Sequence, residues 1–139
     1  MYLTAILVGA ALQVAWPLHV LPRAIPPPLG AVLIAAAALL FASAVRQFRA
    51  AGTPLPGDRP STAVVRSGPY RFSRNPIYVA FSLLHLGIAT WADSAWLLAT
   101  LVVAVAVMAL VVIPREERYM ARKFGDAYLD YKRRVRRFI

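Results

Sequence analysis

The chain has 139 residues, 60% of them hydrophobic, and a mean hydropathy of +0.59. A soluble domain of this size cannot bury so much apolar surface. The absence of cysteine excludes a disulfide framework, a thiol nucleophile and a thiolate metal site.

Four apolar runs carry almost no charge: Tyr2–Val20, Leu29–Val45, Ile77–Trp91 and Ala95–Ile113. A membrane-spanning helix needs about 20 residues, and roughly 17 still suffice. The first, second and fourth runs meet that length. The third must borrow Pro76 and Ala92 or lie in a locally thin region. The expected fold is all-α, a single integral membrane domain over residues 1–139. Its four transmembrane helices fall at about 2–20, 29–48, 76–92 and 95–113, with a cytoplasmic loop at 49–75 and a C-terminal amphipathic cytoplasmic helix at 115–135.

In chain order, the first run lacks the basic n-region of a signal peptide and reads as a retained helix, ending or bending at Trp16–Pro17. Leu21–Pro28 is a proline-rich outer turn, and Pro26-Pro27-Pro28 cannot be helix interior. Ala35–Ala38 offers small side chains for close approach of a neighbouring helix. Ala51–Pro69 is dense in Gly and Pro and reads as a loop ordered over the membrane surface. Pro76 suits the first turn of the third helix. Ala92-Asp93-Ser94 makes a tight outer turn in which Asp93 or Ser94 caps the fourth. After Pro114, the residues Met120, Phe124, Ala127 or Tyr128, Tyr131 and Val135 recur every three or four positions, the stripe of an amphipathic helix that Gly125 interrupts.

The net charge of +10 is segregated. Arg46–Arg74 holds six arginines and Arg115–Ile139 nine lysines or arginines, against Arg23 alone on the other side of a four-span chain. The positive-inside rule then puts both termini in the cytoplasm, the expected residence being a bacterial inner membrane, and assigns the basic excess to membrane lipids rather than nucleic acid. His19 and His85 lie on different helices without nearby carboxylates, so no metal is expected.

Two groups of residues point to chemistry. Arg74, Asn75, Pro76 and Tyr78 stand directly before the third run, and Glu116 and Glu117 directly after the fourth. One helical hairpin returns both groups to the same membrane face, where charge held at a lipid boundary marks a site. Glu117 falls in phase with Met120 and Phe124 and faces protein, with Glu116 about 100° away, flanking the same cavity. Glu117 then either serves a ligand or joins a structural ion pair with Arg74, Arg115 or Arg118. Tyr78, Ser82 and His85 share one face of the third helix and line a cavity or bond between helices.

The run Arg66-Ser67-Gly68-Pro69-Tyr70, then Arg74-Asn75-Pro76-Ile77-Tyr78, resembles the isoprenylcysteine carboxyl methyltransferase and phospholipid methyltransferase superfamily. So do Glu116-Glu117, Phe124-Gly125, Tyr128, Tyr131, Arg137 and the Gly52-Thr53-Pro54 turn of bacterial members. Asn75 stands where eukaryotic carboxyl methyltransferases usually carry histidine, so a protonatable group is missing there. The resemblance implies an integral membrane methyltransferase that uses S-adenosylmethionine, and the chain holds no G-x-G-x-x-G of the soluble nucleotide fold. It implies a cofactor site built from Gly68, Tyr70, Arg74, Asn75, Pro76, Glu116, Glu117 and Tyr128, with Arg74, Tyr78 and His85 serving catalysis. The substrate would be lipophilic, a prenylcysteine-like carboxylate or a lipid acceptor. The alternatives are a non-catalytic membrane scaffold, a small four-helix transporter and an NADPH-dependent membrane reductase.

Overall fold

Proline, glycine and serine punctuate a chain that is otherwise helical. The computed structural model describes residues 1–20, 27–54 and 61–138, and among these it contains six α-helices and no strand. They are α1 (Tyr2–Ala15), α2 (Pro27–Ala50), α3 (Pro76–Trp91), α4 (Ala95–Val107), α5 (Ile113–Phe124) and α6 (Asp126–Arg134), with a 3₁₀ turn at Gly68–Arg71. Most of the outer turn predicted at Leu21–Pro28, Arg23 included, lies outside the described residues, as does 55–60 of the polar loop.

α1 stops at Ala15, at the break expected at Trp16–Pro17 and short of residue 20, the far bound of the expected span. Pro17 disfavours helical backbone at the residue before it, and Trp16 is extended at φ −138°, ψ 84°. The freed segment is tied down at the far end of the molecule. Gln13 Oε1 accepts from Leu18 N–H and from the Ser94 hydroxyl, and Trp96 Nε1 donates to the Trp16 carbonyl at 2.8 Å. Ser94 caps α4, its hydroxyl oxygen accepting from Leu97 N–H. Pro76 opens α3, where a missing N–H costs nothing.

The fourth span and the helix after it are one continuous helix, Ala95–Phe124, rather than two separated at Pro114. The joint is a π-helical turn at Met108–Val112, in which Ile113 N–H bonds to the Met108 carbonyl five residues back. Pro114 has no N–H and crowds the carbonyl four residues earlier, and the wider turn relieves both problems. The expected break comes at Gly125, whose φ of +52° suits glycine and separates α5 from α6.

α3 packs between α2 and α4, with α1 laid against α4. The closest approach of α2 and α3 is made by Gly30 and Gly87: a Cβ on Gly30 would lie 2.8 Å from the Gly87 carbonyl oxygen, and one on Gly87 would lie 2.8 Å from Ile34. The Ala35–Ala38 stretch contributes Ala37, which is buried, but the glycine pair sets the helix spacing. Because the obstructing atoms include backbone, we expect Gly30→Ala to force α2 and α3 apart and destabilise the fold by about 1–3 kcal/mol, measured by thermal unfolding in detergent.

Pro28–Ala50 and Ala95–Phe124 are long and apolar enough to cross a membrane. α1 and α3, with 14 and 16 residues, reach only about 21 and 24 Å at the helical rise, less than a hydrocarbon core of about 30 Å. At the end opposite the tryptophans, one apolar cluster joins Ala44 and Phe48 of α2 to Val65, Tyr70, Tyr128 and Tyr131. The stripe predicted for the C-terminal helix thus packs on protein. A second cluster joins Tyr2, Ala104, Met108 and Ile113, with Phe138 against it.

Candidate functional site

The site begins with the backbone between the loop and α3. Gly68, at φ +58°, opens the 3₁₀ turn that buries Tyr70, and the Tyr70 carbonyl accepts from the Tyr131 hydroxyl at 2.8 Å. The chain then meets residues 136 and 137 in a short parallel contact. Arg74 N–H donates to the Arg136 carbonyl at 3.0 Å, and Asn75 Nδ2 donates to the Arg137 carbonyl at 2.9 Å. These bonds fix Arg74 and Asn75 at the mouth of α3.

Arg74 and Glu117 meet here, as their positions around the hairpin predict. Arg74 Nη1 lies 2.9 Å from Glu117 Oε1, and the two side chains are 9% and 6% exposed. Glu117 is crowded with cations. Arg137 grips it through Nε at 3.1 Å and Nη2 at 3.0 Å, and Lys132 Nζ lies 3.2 Å away. Burial works to raise the Glu117 pKa, but the hydrogen bond from Arg137, the charge of Arg74 and the bond from Lys132 outweigh it and hold the carboxyl below its ordinary range. The ion-pair alternative therefore describes Glu117, with Lys132 and Arg137 joining Arg74.

Arg74 is less well satisfied. Its Nε and Nη1 are buried without a hydrogen-bond acceptor, the contact to Glu117 being close but poorly directed. A buried guanidinium with idle N–H groups is costly unless an acceptor arrives. Glu116 differs from its neighbour. Its Oε1 accepts from the Tyr78 hydroxyl at 2.5 Å. Burial raises its pKa, against a smaller lowering by that bond. Two adjacent glutamates are thus driven in opposite directions, Glu117 held below its ordinary range by its cations and Glu116 pushed above it by burial.

Both glutamates, Arg74, Asn75, Tyr78, Tyr70 and Tyr128 line one cleft, roofed by apolar residues of α2, the loop and α5 such as Phe48, Val64 and Met120. Its empty space is about 840 Å³, counting the open mouth. Gly68 and Pro76 shape its wall without lining it: the first sets the 3₁₀ turn, and the second is fully buried at the start of α3. His85 is not brought to the cleft. It is fully buried between α3 and α4, with Nε2 3.4 Å from Thr100 Oγ1, about two helical turns beyond Tyr78. Ser82 bonds Tyr2 Oη at 2.7 Å and the Tyr78 carbonyl, so the polar face of α3 serves contacts between and within helices beyond its first turn. Lys132 and the role of Arg137 are new to the site. Nothing in local spacing marks them, because both reach Glu117 across a chain reversal at Gly125. Among the described residues, no three His, Cys, Asp or Glu side chains form a group fit for a metal ion.

Residues 27–127 match the family model described as "Phospholipid methyltransferase". Among curated proteins, the chain is 36% identical over 80 residues to the "Cobalt-zinc-cadmium resistance protein CzcN" of Cupriavidus metallidurans. It has the same identity over the same length to the "Nickel-cobalt-cadmium resistance protein NccN" of Alcaligenes xylosoxydans xylosoxydans. The alignments cover 58% of this chain and 37% of each relative, so the matched part is little more than a third of those proteins. No solved structure matches.

Proposed function

The chain belongs to the phospholipid methyltransferase family, and from that premise we propose that it transfers a methyl group from S-adenosylmethionine to a lipophilic acceptor at a membrane. The observation that carries this reading is Arg74: buried, held in place, lining the cleft, and with N–H groups that lack an acceptor. The amino-acid end of S-adenosylmethionine offers a carboxylate that such a fork binds. Glu116, across the same cleft, would hold its ammonium or ribose hydroxyls. Tyr70 and Tyr128, both buried, supply wall and ring surface. Glu117 would act one step back, as the anion that keeps Arg74 in position.

When bound, the cofactor supplies a methyl group on a sulfonium sulfur, open to in-line displacement. The protein's task is to align the acceptor and exclude water. A carboxylate acceptor needs no base. For an acceptor that must lose a proton, the Tyr78–Glu116 pair is placed to take it, and the raised Glu116 pKa suits that role. His85 receives no part in this scheme.

In the membrane, we place four spans with the cleft and the basic loop and tail on the cytoplasmic side, both termini included, in a bacterial inner membrane. The six basic residues between Arg46 and Arg74 and the nine after Ile113 support that orientation. The short α1 and α3 would sit in a locally thinned bilayer. The acceptor would enter laterally from the lipid, and the polar cofactor from the cytoplasm.

The test is transfer of labelled methyl from S-adenosylmethionine by purified protein in lipid, across prenylcysteine, phospholipid and quinone-like acceptors. Incorporation above a heat-treated control supports the reading; none with any acceptor, in a folded sample, opposes it. Cofactor affinity should also depend on pH through Glu116. Binding an ammonium favours the ionised carboxylate, so affinity should fall as pH drops through the raised pKa of free Glu116. Glu116→Gln should weaken binding by about tenfold at neutral pH and remove that pH dependence, as read by calorimetry over a pH series.

A further inference from the structure

We propose that Arg137 is a positioning residue for cofactor binding: it aims Arg74 into the cleft without touching the ligand itself. The inference rests on the reading above and concerns how the site is assembled. Three contacts converge on this residue. Its guanidinium grips both oxygens of Glu117, at 3.1 and 3.0 Å, and Glu117 Oε1 lies 2.9 Å from Arg74 Nη1. Its main-chain carbonyl accepts from Asn75 Nδ2 at 2.9 Å, and the Ser73 hydroxyl approaches the same oxygen. The preceding carbonyl, of Arg136, accepts from Arg74 N–H.

Arg74 is thus held from both ends by one short segment, its main chain by residue 136 and its head group by residue 137 through Glu117. Arg137 does not line the cleft, while Arg74, Asn75 and Glu117 do. Its side chain remains 39% exposed, against 6% for Glu117. A guanidinium on the outer side of the carboxylate has one geometric consequence. It fixes both oxygens of Glu117, so that Arg74 Nη1 meets an Oε1 already held by Arg137 Nε. Held this way, Arg74 Nε and Nη1 have no well-directed acceptor within the fold and can take a second anion. Supporting contacts of this kind fix a binding group to within a fraction of an ångström. The next residue, Phe138, packs against the cluster of Tyr2, Met108 and Ile113 and anchors the segment.

The test compares two ligands by calorimetry on the purified full chain: S-adenosylmethionine, and 5′-methylthioadenosine, which lacks the amino-acid carboxylate and ammonium. In Arg137→Ala, S-adenosylmethionine should bind about ten- to a hundredfold more weakly, the loss of one charge-assisted bond. Methylthioadenosine affinity should stay within about twofold of the parent protein. Arg137→Lys should restore part of the loss, and exposed Arg134→Ala should change neither ligand. Because Arg137 acts through Glu117, the double variant with Glu117→Gln should bind no worse than Glu117→Gln alone. Equal weakening of both ligands would assign Arg137 to general folding, and unchanged affinity for both would remove it from the site; either result overturns the proposal. Failure of the parent protein to bind S-adenosylmethionine would instead sink the proposed function.

Discussion

Arg74→Ala is expected to abolish measurable binding of S-adenosylmethionine, a loss of about a hundredfold or more when two charge-assisted hydrogen bonds disappear together. Among the described residues, the guanidinium is the one buried group on the cleft whose N–H donors lack a well-directed acceptor. Its removal also takes from Glu117 one of three cations, leaving Lys132 and Arg137. Stability should therefore fall by roughly 2 kcal/mol, less than the usual cost of breaking a buried pair. Arg74→Lys separates the two effects. It keeps the charge beside Glu117 and restores most of the stability, but a single ammonium cannot present the two-pronged face that a carboxylate needs. Calorimetry and thermal unfolding of the two variants read the two quantities independently.

Glu117→Gln is expected to give the largest loss of stability in the molecule. The residue is 6% exposed and answers three cations. An amide leaves Arg74 buried without a counter-ion and opposes it to Arg137. A buried pair broken on one side costs about 3–5 kcal/mol, which corresponds to a drop on the order of 10 °C in the unfolding midpoint. The pH dependence has a definite sign. The folded pKa lies below the ordinary value, so the unfolded chain takes up the proton first. The stability that Glu117 contributes is complete above the unfolded value of about 4.3 and is lost as pH falls through the depressed folded value. Glu117→Gln should remove this acid limb, and unfolding midpoints over a pH series will show it. Glu116→Gln should not, because Glu116 is raised rather than lowered.

Much of this was legible in the sequence wherever one residue decides a local geometry. Pro17 ends α1, Pro76 opens α3, Ser94 caps α4, and Gly125 breaks the C-terminal helix. The meeting of Arg74 with Glu117 was legible too, because a hairpin of two apolar helices returns its ends to one face. The phase of Glu117 was correctly read from Met120 and Phe124, which lie on its own side of the π turn; reading it from α4 would have been wrong by about 100° for the extra residue in that turn.

What stayed hidden depends on contacts distant in sequence. Either glutamate could have paired with Arg74, since the two differ only by rotation about one helix. Lys132 and Arg137 decide between them, and they come from beyond a chain reversal. His85 shared a helical face with Tyr78, yet only the first turn of α3 reaches the cleft; deeper in, the same face meets α4. The Gly30–Gly87 contact was invisible because a glycine inside an apolar run does not announce which neighbour it admits. The continuous helix through Pro114 was missed because a proline stop is local, while the π turn that accommodates it belongs to the preceding span.

The central claim is that the cleft between the first turn of α3 and α5 is a cofactor site gripped by Arg74. Calorimetric titration of S-adenosylmethionine into the detergent-purified chain tests it most directly. The account predicts saturable binding at one site per chain below about 1 mM, the upper range of ordinary substrate affinities, and its disappearance in Arg74→Lys. A folded sample that evolves no binding heat, or an Arg74→Lys variant that binds as tightly as the parent, contradicts it.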